Sequence, residues 1–314
     1  MHRCNRATGH RILAMAVALA LAGLWPTSLG WAHPDISEAE DAAAHAIEES
    51  PDDPALYVHR ATLERMRHDW DAAAASYTKA LELGADRDRI DVSLASVLLE
   101  AGLPKTALVR VELALGRDQD NGAARLTRAR ILSRSSRHAD AAADYARAVA
   151  VLKHPEPGVV LEAMNAQLLR STQDAVATDG EMIADSNAQA DTREENIVSA
   201  LAVADSAMRK LSIIPSIQER AIELETELER YDAAVARIDS MLARAPRHEV
   251  WIAQRGDLLT AQGKQEEAVQ SYERALALIN ERPAGRRSSR ISLLATTLRK
   301  KLDNRPDSEM GENP

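Results

Sequence analysis

The chain has 314 residues, with 39 Lys and Arg against 48 Asp and Glu, a formal charge of −9, one cysteine and no phenylalanine. An acidic chain is poorly suited to non-specific nucleic-acid binding, which rests on neutralising phosphates with Lys and Arg. A single cysteine excludes internal disulfides and thiolate metal sites. A core so poor in aromatics must be built from Ala, Leu, Ile and Val, and Ala has the highest helix propensity, so the composition favours an all-α fold.

The first residues read as a leader. Arg3, Arg6 and Arg11 precede an apolar run from Ile12 to Leu24, followed by Pro26 and small residues. That order is a basic n-region, a short h-region and a cleavage region. The run of 13 residues is shorter than the roughly 20 that a membrane-spanning helix needs. Gly30-Trp31-Ala32 offers a small-x-small site, so a signal peptide of residues 1–32 is expected, cleaved after Ala32, with the product periplasmic or secreted and free of the membrane. Cys4 leaves with it, and the product carries 36 Lys and Arg against 48 acids, a charge of −12. The alternative is an uncleaved anchor.

Beyond the leader the sequence keeps time. Ala73, Tyr77 and Ala80 are matched 34 residues later by Ala107, Val111 and Ala114, and again by Ala141, Tyr145 and Ala148. One step upstream stand Ala39, Ala43 and Ala46, which predict a helix within residues 33–50. Another alanine lies twelve residues before the first of each set, at Ala61, Ala95 and Ala129, continuing to Ala163. Such recurrence marks a repeat architecture, in which each unit buries its apolar face only against its neighbours.

The phase then fails at Ala175 and returns at Ala200, Ala204 and Ala207, a displacement of 25 residues. From there the step holds again through Ala234, Ile238 and Met241 to Ala268, Tyr272 and Ala275. The array therefore divides into 51–172 and 197–280, with an insertion at 173–196 between the two helices of the fourth unit. That insertion holds Asp174, Asp179, Glu181, Asp185, Asp191, Glu194 and Glu195 against Arg193 alone, and is expected to be flexible. Its acids lack the alternate spacing of a calcium loop. A capping helix is expected within 281–303, followed by a disordered tail, 304–314.

Each unit reads as two antiparallel helices, in the first case about 54–67 and 70–83. Pro54 suits a first helical turn and Gly84 a helix end. The series A-x3-Y-x2-A, with a small residue twelve positions earlier, resembles the tetratricopeptide repeat family. Pro246 stands at that family's unit-ending proline and Gly256 at its small first-helix position. Arg60, Arg128 and Arg255 depart from it, occupying a place where leucine is usual.

The resemblance implies a right-handed α-solenoid whose first helices line a concave groove for a peptide or partner protein. By phase, the groove holds Ala55, Val58, Thr62 and Arg65, then Arg89, Val92, Ser96 and Leu99, then Ala123, Leu126, Arg130 and Ser133. After the insertion it holds Ser216, Glu219, Glu223 and Thr226, then Val250, Ala253, Asp257 and Thr260. The basic residues Arg65, Arg89 and Arg130 lie in one half and the acids Glu219, Glu223 and Asp257 in the other. Shared along one trough, they would form a field gradient able to orient a charged segment. The carboxylate clamp of chaperone-binding members is absent, since Val58, Thr62 and Ser93 occupy its positions.

No H-E-x-x-H, G-x-S-x-G, P-loop or paired-carboxylate motif appears. The expectation is a non-catalytic envelope scaffold that binds a protein or peptide, with no cofactor and no metal. The alternative is an accessory or glycan-binding module of an envelope enzyme complex, for which stacked surface aromatics would be needed.

Overall fold

The computed structural model describes residues 36–170 and 186–304. The expected signal peptide, residues 171–185 of the insertion region and the tail from residue 305 lie outside them. The described residues form fourteen α-helices and no strand. They are α1 (Ile36–Glu49), α2 (Pro54–Met66), α3 (Trp70–Glu82), α4 (Arg87–Glu100), α5 (Pro104–Arg117), α6 (Gly122–Arg134) and α7 (His138–Val151). There follow α8 (Pro157–Leu168), α9 (Ser186–Met208), α10 (Pro215–Glu227), α11 (Tyr231–Leu242), α12 (Glu249–Ala261), α13 (Gln265–Glu281) and α14 (Ser289–Asp303). No helix among them is long and apolar enough to cross a membrane.

Local chemistry sets the helix starts. Proline opens α2, α5, α8 and α10, where its missing N–H costs nothing. Asp53, Asp69, Asp86 and Asn121 accept a bond from a first-turn N–H of the helix that follows each.

The turn inside the pairs other than the fourth is also copied. His68, Gly102, Ser136, Glu229 and Gly263 all hold positive φ, from 56° to 77°, and they recur at the repeat phase. In each case the next residue's N–H reaches back to a carbonyl five residues earlier, as in Leu103 to Leu98 and Arg230 to Glu225, at 2.9 and 2.8 Å. This is the Schellman closure of a helix. Glycine meets it without strain at Gly102 and Gly263, whereas the three larger residues enter a region that costs an L-residue roughly 1–2 kcal/mol.

The periodic alanines are the points of closest approach. Ala61, Ala95, Ala129 and Ala163 are fully buried, as are Ala73, Ala107, Ala141, Ala200, Ala234 and Ala268. Helices joined in sequence pack in order along the array, each pair against the next. The result is an all-α solenoid of stacked helix pairs. Tyr77, Tyr145 and Tyr272, each 4 % exposed, fill the volume between pairs.

The fourth pair is α8 with α9, joined across the expected insertion. α9 starts at Ser186, so residues 186–196 are helical where a flexible excursion was expected. Ala, Gln, Glu and Arg are good helix formers, and the charge balance that suggested flexibility is partly met outside the helix, by Arg193 to Glu227 and Arg230 to Glu194. After α9, Lys210 donates to the carbonyls of Val149, Ala150 and Leu152 at 2.5–2.8 Å. Its ammonium thus caps the C-terminal end of α7, where the helix dipole favours a cation, and ties the break in the array to the third pair.

Candidate functional site

The first helices lie side by side, linked by side chains that cross from one pair to the next. Ser96 on α4 meets Thr127 on α6 at 3.4 Å, and Arg134 on α6 reaches Glu100 and the carbonyl of Leu99. Arg130 on α6 reaches α8, and Trp251 on α12 reaches α10. These contacts link α4 to α6, α6 to α8 and α10 to α12, and they involve the expected groove residues Ser96, Arg130 and Glu219.

Their environments differ. Val58, Thr62, Ser96 and Leu126 are half-buried, and the hydroxyls of Thr62 and Ser96 bond back to Val58 and Val92 carbonyls of their own helices. Leu99 is buried, so it belongs to the core and offers nothing to a ligand. Arg65 and Arg89 are exposed, and neither has an ionic or hydrogen-bond partner among the described residues. Met66, beside Arg65, is 55 % exposed.

The remaining charges are committed. Arg130 forms a two-pronged pair with Glu162 at 2.9 and 3.0 Å, and the Tyr145 hydroxyl donates to the same carboxylate at 3.1 Å. Burial, with Glu162 beside it, pushes the Tyr145 hydroxyl up to about 12. Asp257 accepts from the Tyr272 hydroxyl at 2.7 Å and pairs with Lys301, which α14 extends across the Tyr272 ring. Burial raises the Tyr272 hydroxyl to about 12 as well. Glu223 pairs with Arg220 on its own helix, and Glu219 accepts from the Trp251 indole at 3.2 Å.

The charge separation read from the sequence is therefore largely cancelled by local partners. What persists on the face is the cationic pair Arg65 and Arg89 at the N-terminal end, opposite the carboxylate of Glu219. Sequence reasoning missed Glu162 and Lys301. Glu162 stands one 34-residue step after Arg128, so a charge reversal in that column was there to find. Lys301 lies on a helix outside the repeat phase, and nothing periodic announces it.

The arginines that depart from the family pattern have a structural role. Arg60 donates to Ser76, Arg128 to Asp144 and Arg255 to Ser271, each across 16 residues from the first helix of a pair to the second. The acceptors are buried, with Asp144 only 4 % exposed and held also by Arg125. Each arginine replaces an apolar contact with a bonded polar one inside its own pair.

Most of the aromatic rings are spent inside the array, while Trp70 and Tyr231 are half-buried. Tyr57, Tyr77, Tyr145, Tyr272 and Trp251 are all buried, and Trp251 stacks on His248 at 3.7 Å between centroids. Among the described residues no three His, Cys, Asp or Glu side chains converge to hold a metal.

Comparison with known proteins bears on the fold. The sequence model of the bacterial transcriptional activator domain matches residues 186–310, less than half of the chain. No curated protein matches in sequence. The C-terminal part of a TPR repeat-containing protein from Cytophaga hutchinsonii is similar in structure, with a TM-score of 0.53 and 12 % identity over 82 % of this chain and 94 % of that one. A tetratricopeptide repeat protein from Parabacteroides merdae aligns at 17 % identity over 84 % of this chain and 93 % of its own, with a TM-score of 0.43. The TPR2AB domain of yeast Sti1, in its complex with pHSP90, aligns at 13 % identity over 78 % and 98 %, with a TM-score of 0.36. At these identities the likeness speaks for the fold alone.

Proposed function

We propose that this tetratricopeptide-repeat array is a non-catalytic scaffold of the cell envelope, exported by its N-terminal leader, that captures an extended segment of a partner protein along its first-helix face. One observation carries the reading: Arg65 and Arg89 stand exposed on successive first helices with no ionic partner among the described residues, whereas Arg130, Glu223 and Asp257 are ion-paired. Two cations left without partners at adjacent repeats, beside the half-buried apolar surface of Val58, Val92 and Leu126, suit a segment that alternates acidic and apolar residues. Charge would then set encounter rate and register, and the apolar anchors most of the affinity. The leader residues support the envelope location.

The glycan-binding alternative finds little support, because five of the described Tyr and Trp rings are buried and the remaining two, Trp70 and Tyr231, are half-buried. The test is paired charge reversal. Arg65→Glu with Arg89→Glu should lower partner capture at least tenfold and remove its salt dependence, with helicity unchanged, since both side chains are exposed. Capture unaffected by the reversal would reject this site.

A further inference from the structure

Each end of the described array is half of a pair. α1 carries the alanine phase of a second helix, with Ala43 buried against α2, and among the described residues no first helix precedes it. α14 packs on α13 as a first helix packs on the second helix before it, through Ala295 and Leu298, and among the described residues no second helix follows. A second-type helix without its first and a first-type helix without its second are complementary halves.

We propose that these ends meet, the α14 face of one copy docking head to tail on the α1 face of another. The exposed stripe of α14 runs Arg290, Leu293, Thr297, Lys300, a cation at each end with an apolar residue between. Leu293, 67 % exposed, has the largest exposure of the described bulky apolar side chains. The exposed stripe of α1 has Glu38 and Asp41 at one end, Glu48 and Glu49 at the other, and Ala42 and His45 between, with the His45 ring 3.9 and 3.5 Å from Glu48 and Glu49. Both span ten or so residues, roughly 15 Å of helix. Set antiparallel, as helices within a pair are, Arg290 faces Glu48 and Glu49, Leu293 lies over His45, Thr297 over Ala42, and Lys300 faces Glu38 and Asp41. Arg290 and Lys300 have no side-chain partner among the described residues.

The contact is heterologous, so it builds an open file of copies or closes into a ring. Two helices bury a small area, so association is weak and salt-sensitive.

The experiment is sedimentation velocity on the purified chain over a concentration series. The parent should show a weight-average sedimentation coefficient that rises with concentration. The C-terminal variant Arg290→Glu with Lys300→Glu should stay monomeric, as should the N-terminal variant Glu38→Lys with Glu48→Lys. An equimolar mixture of the two should associate again, since the unaltered α14 of the N-terminal variant meets the unaltered α1 of the C-terminal variant, and the two altered ends also match in charge. A parent that stays monomeric throughout, either variant associating like the parent, or a mixture that stays monomeric would each overturn the proposal. All four replaced side chains are exposed or partly so, and an unchanged helical circular dichroism signal confirms that each variant is folded.

Discussion

Gly256 is the position where the packing account can be tested most sharply. A Cβ placed there would lie 2.4 Å from Cε1 and 2.6 Å from Cδ1 of Tyr272, far inside ordinary contact. The ring cannot easily swing away. Its hydroxyl is bonded to Asp257 and Thr260, and Lys301 lies 5.2 Å over its centroid. Gly256→Ala is therefore an overpacking substitution, which costs about 1–3 kcal/mol and here belongs at the upper end. Helix propensity returns about 1 kcal/mol, leaving a net loss of about 1–2 kcal/mol. For a chain of this size that lowers the melting temperature by roughly 2–8 °C. In a repeat array the loss is local, so hydrogen exchange should accelerate in α12–α14 before α2–α5. Gly116→Ala is the control: it lies in α5 with nothing within 4 Å of the added carbon, and it should stabilise by about 0.5–1 kcal/mol. A Gly256→Ala chain as stable as its parent would refute the claim that Tyr272 packs against α12 at this point.

Glu229→Gly, in a turn that holds φ at 56°, should raise stability by about 1 kcal/mol in thermal or urea unfolding, because glycine adopts that backbone freely. Arg128→Leu and Asp144→Ala should each destabilise, and their double variant should lose less than the sum; a coupling of about 1–2 kcal/mol in the cycle would measure the pair. At high pH the sign is fixed by the tyrosines. Their hydroxyls are raised from the ordinary 10 to about 12 in the folded chain, so this stability is full below pH 10 and is lost as pH rises through 12. Phenolate absorbance should show two groups titrating late, and Tyr145→Phe should remove one of them and flatten the alkaline fall in stability.

The column of buried alanines was readable from Ala61 to Ala275 because a helix pair of fixed length returns the same contact at the same place, whatever the residues between. Tyr77, Tyr145 and Tyr272 followed for the same reason. The start of α9 was not readable. The acids around it suggested solvation, whereas the decisive facts are burial of Asn196 and Ile197 within the array and ion pairs made with residues more than thirty positions away. The charge pairing of the candidate site was not legible in the sequence. Phase placed Arg65, Arg89 and Arg130 on one face, yet only the fold shows that Arg130 has Glu162 to hold it and that Lys301 comes in from outside the repeat to meet Asp257. Ion-pair partners depend on rotamers and on neighbouring helices, and a period does not encode those.

Partner capture on the first-helix face can be measured in cells by placing a photocrosslinking residue at Val92, on that face, and at Val109, which is 57 % exposed on the second helix of the same pair. A defined crosslinked partner is expected from position 92 alone, lost when Arg65 and Arg89 are reversed to glutamate. The same partner captured equally from position 109, or still captured from position 92 after the reversal, would contradict it.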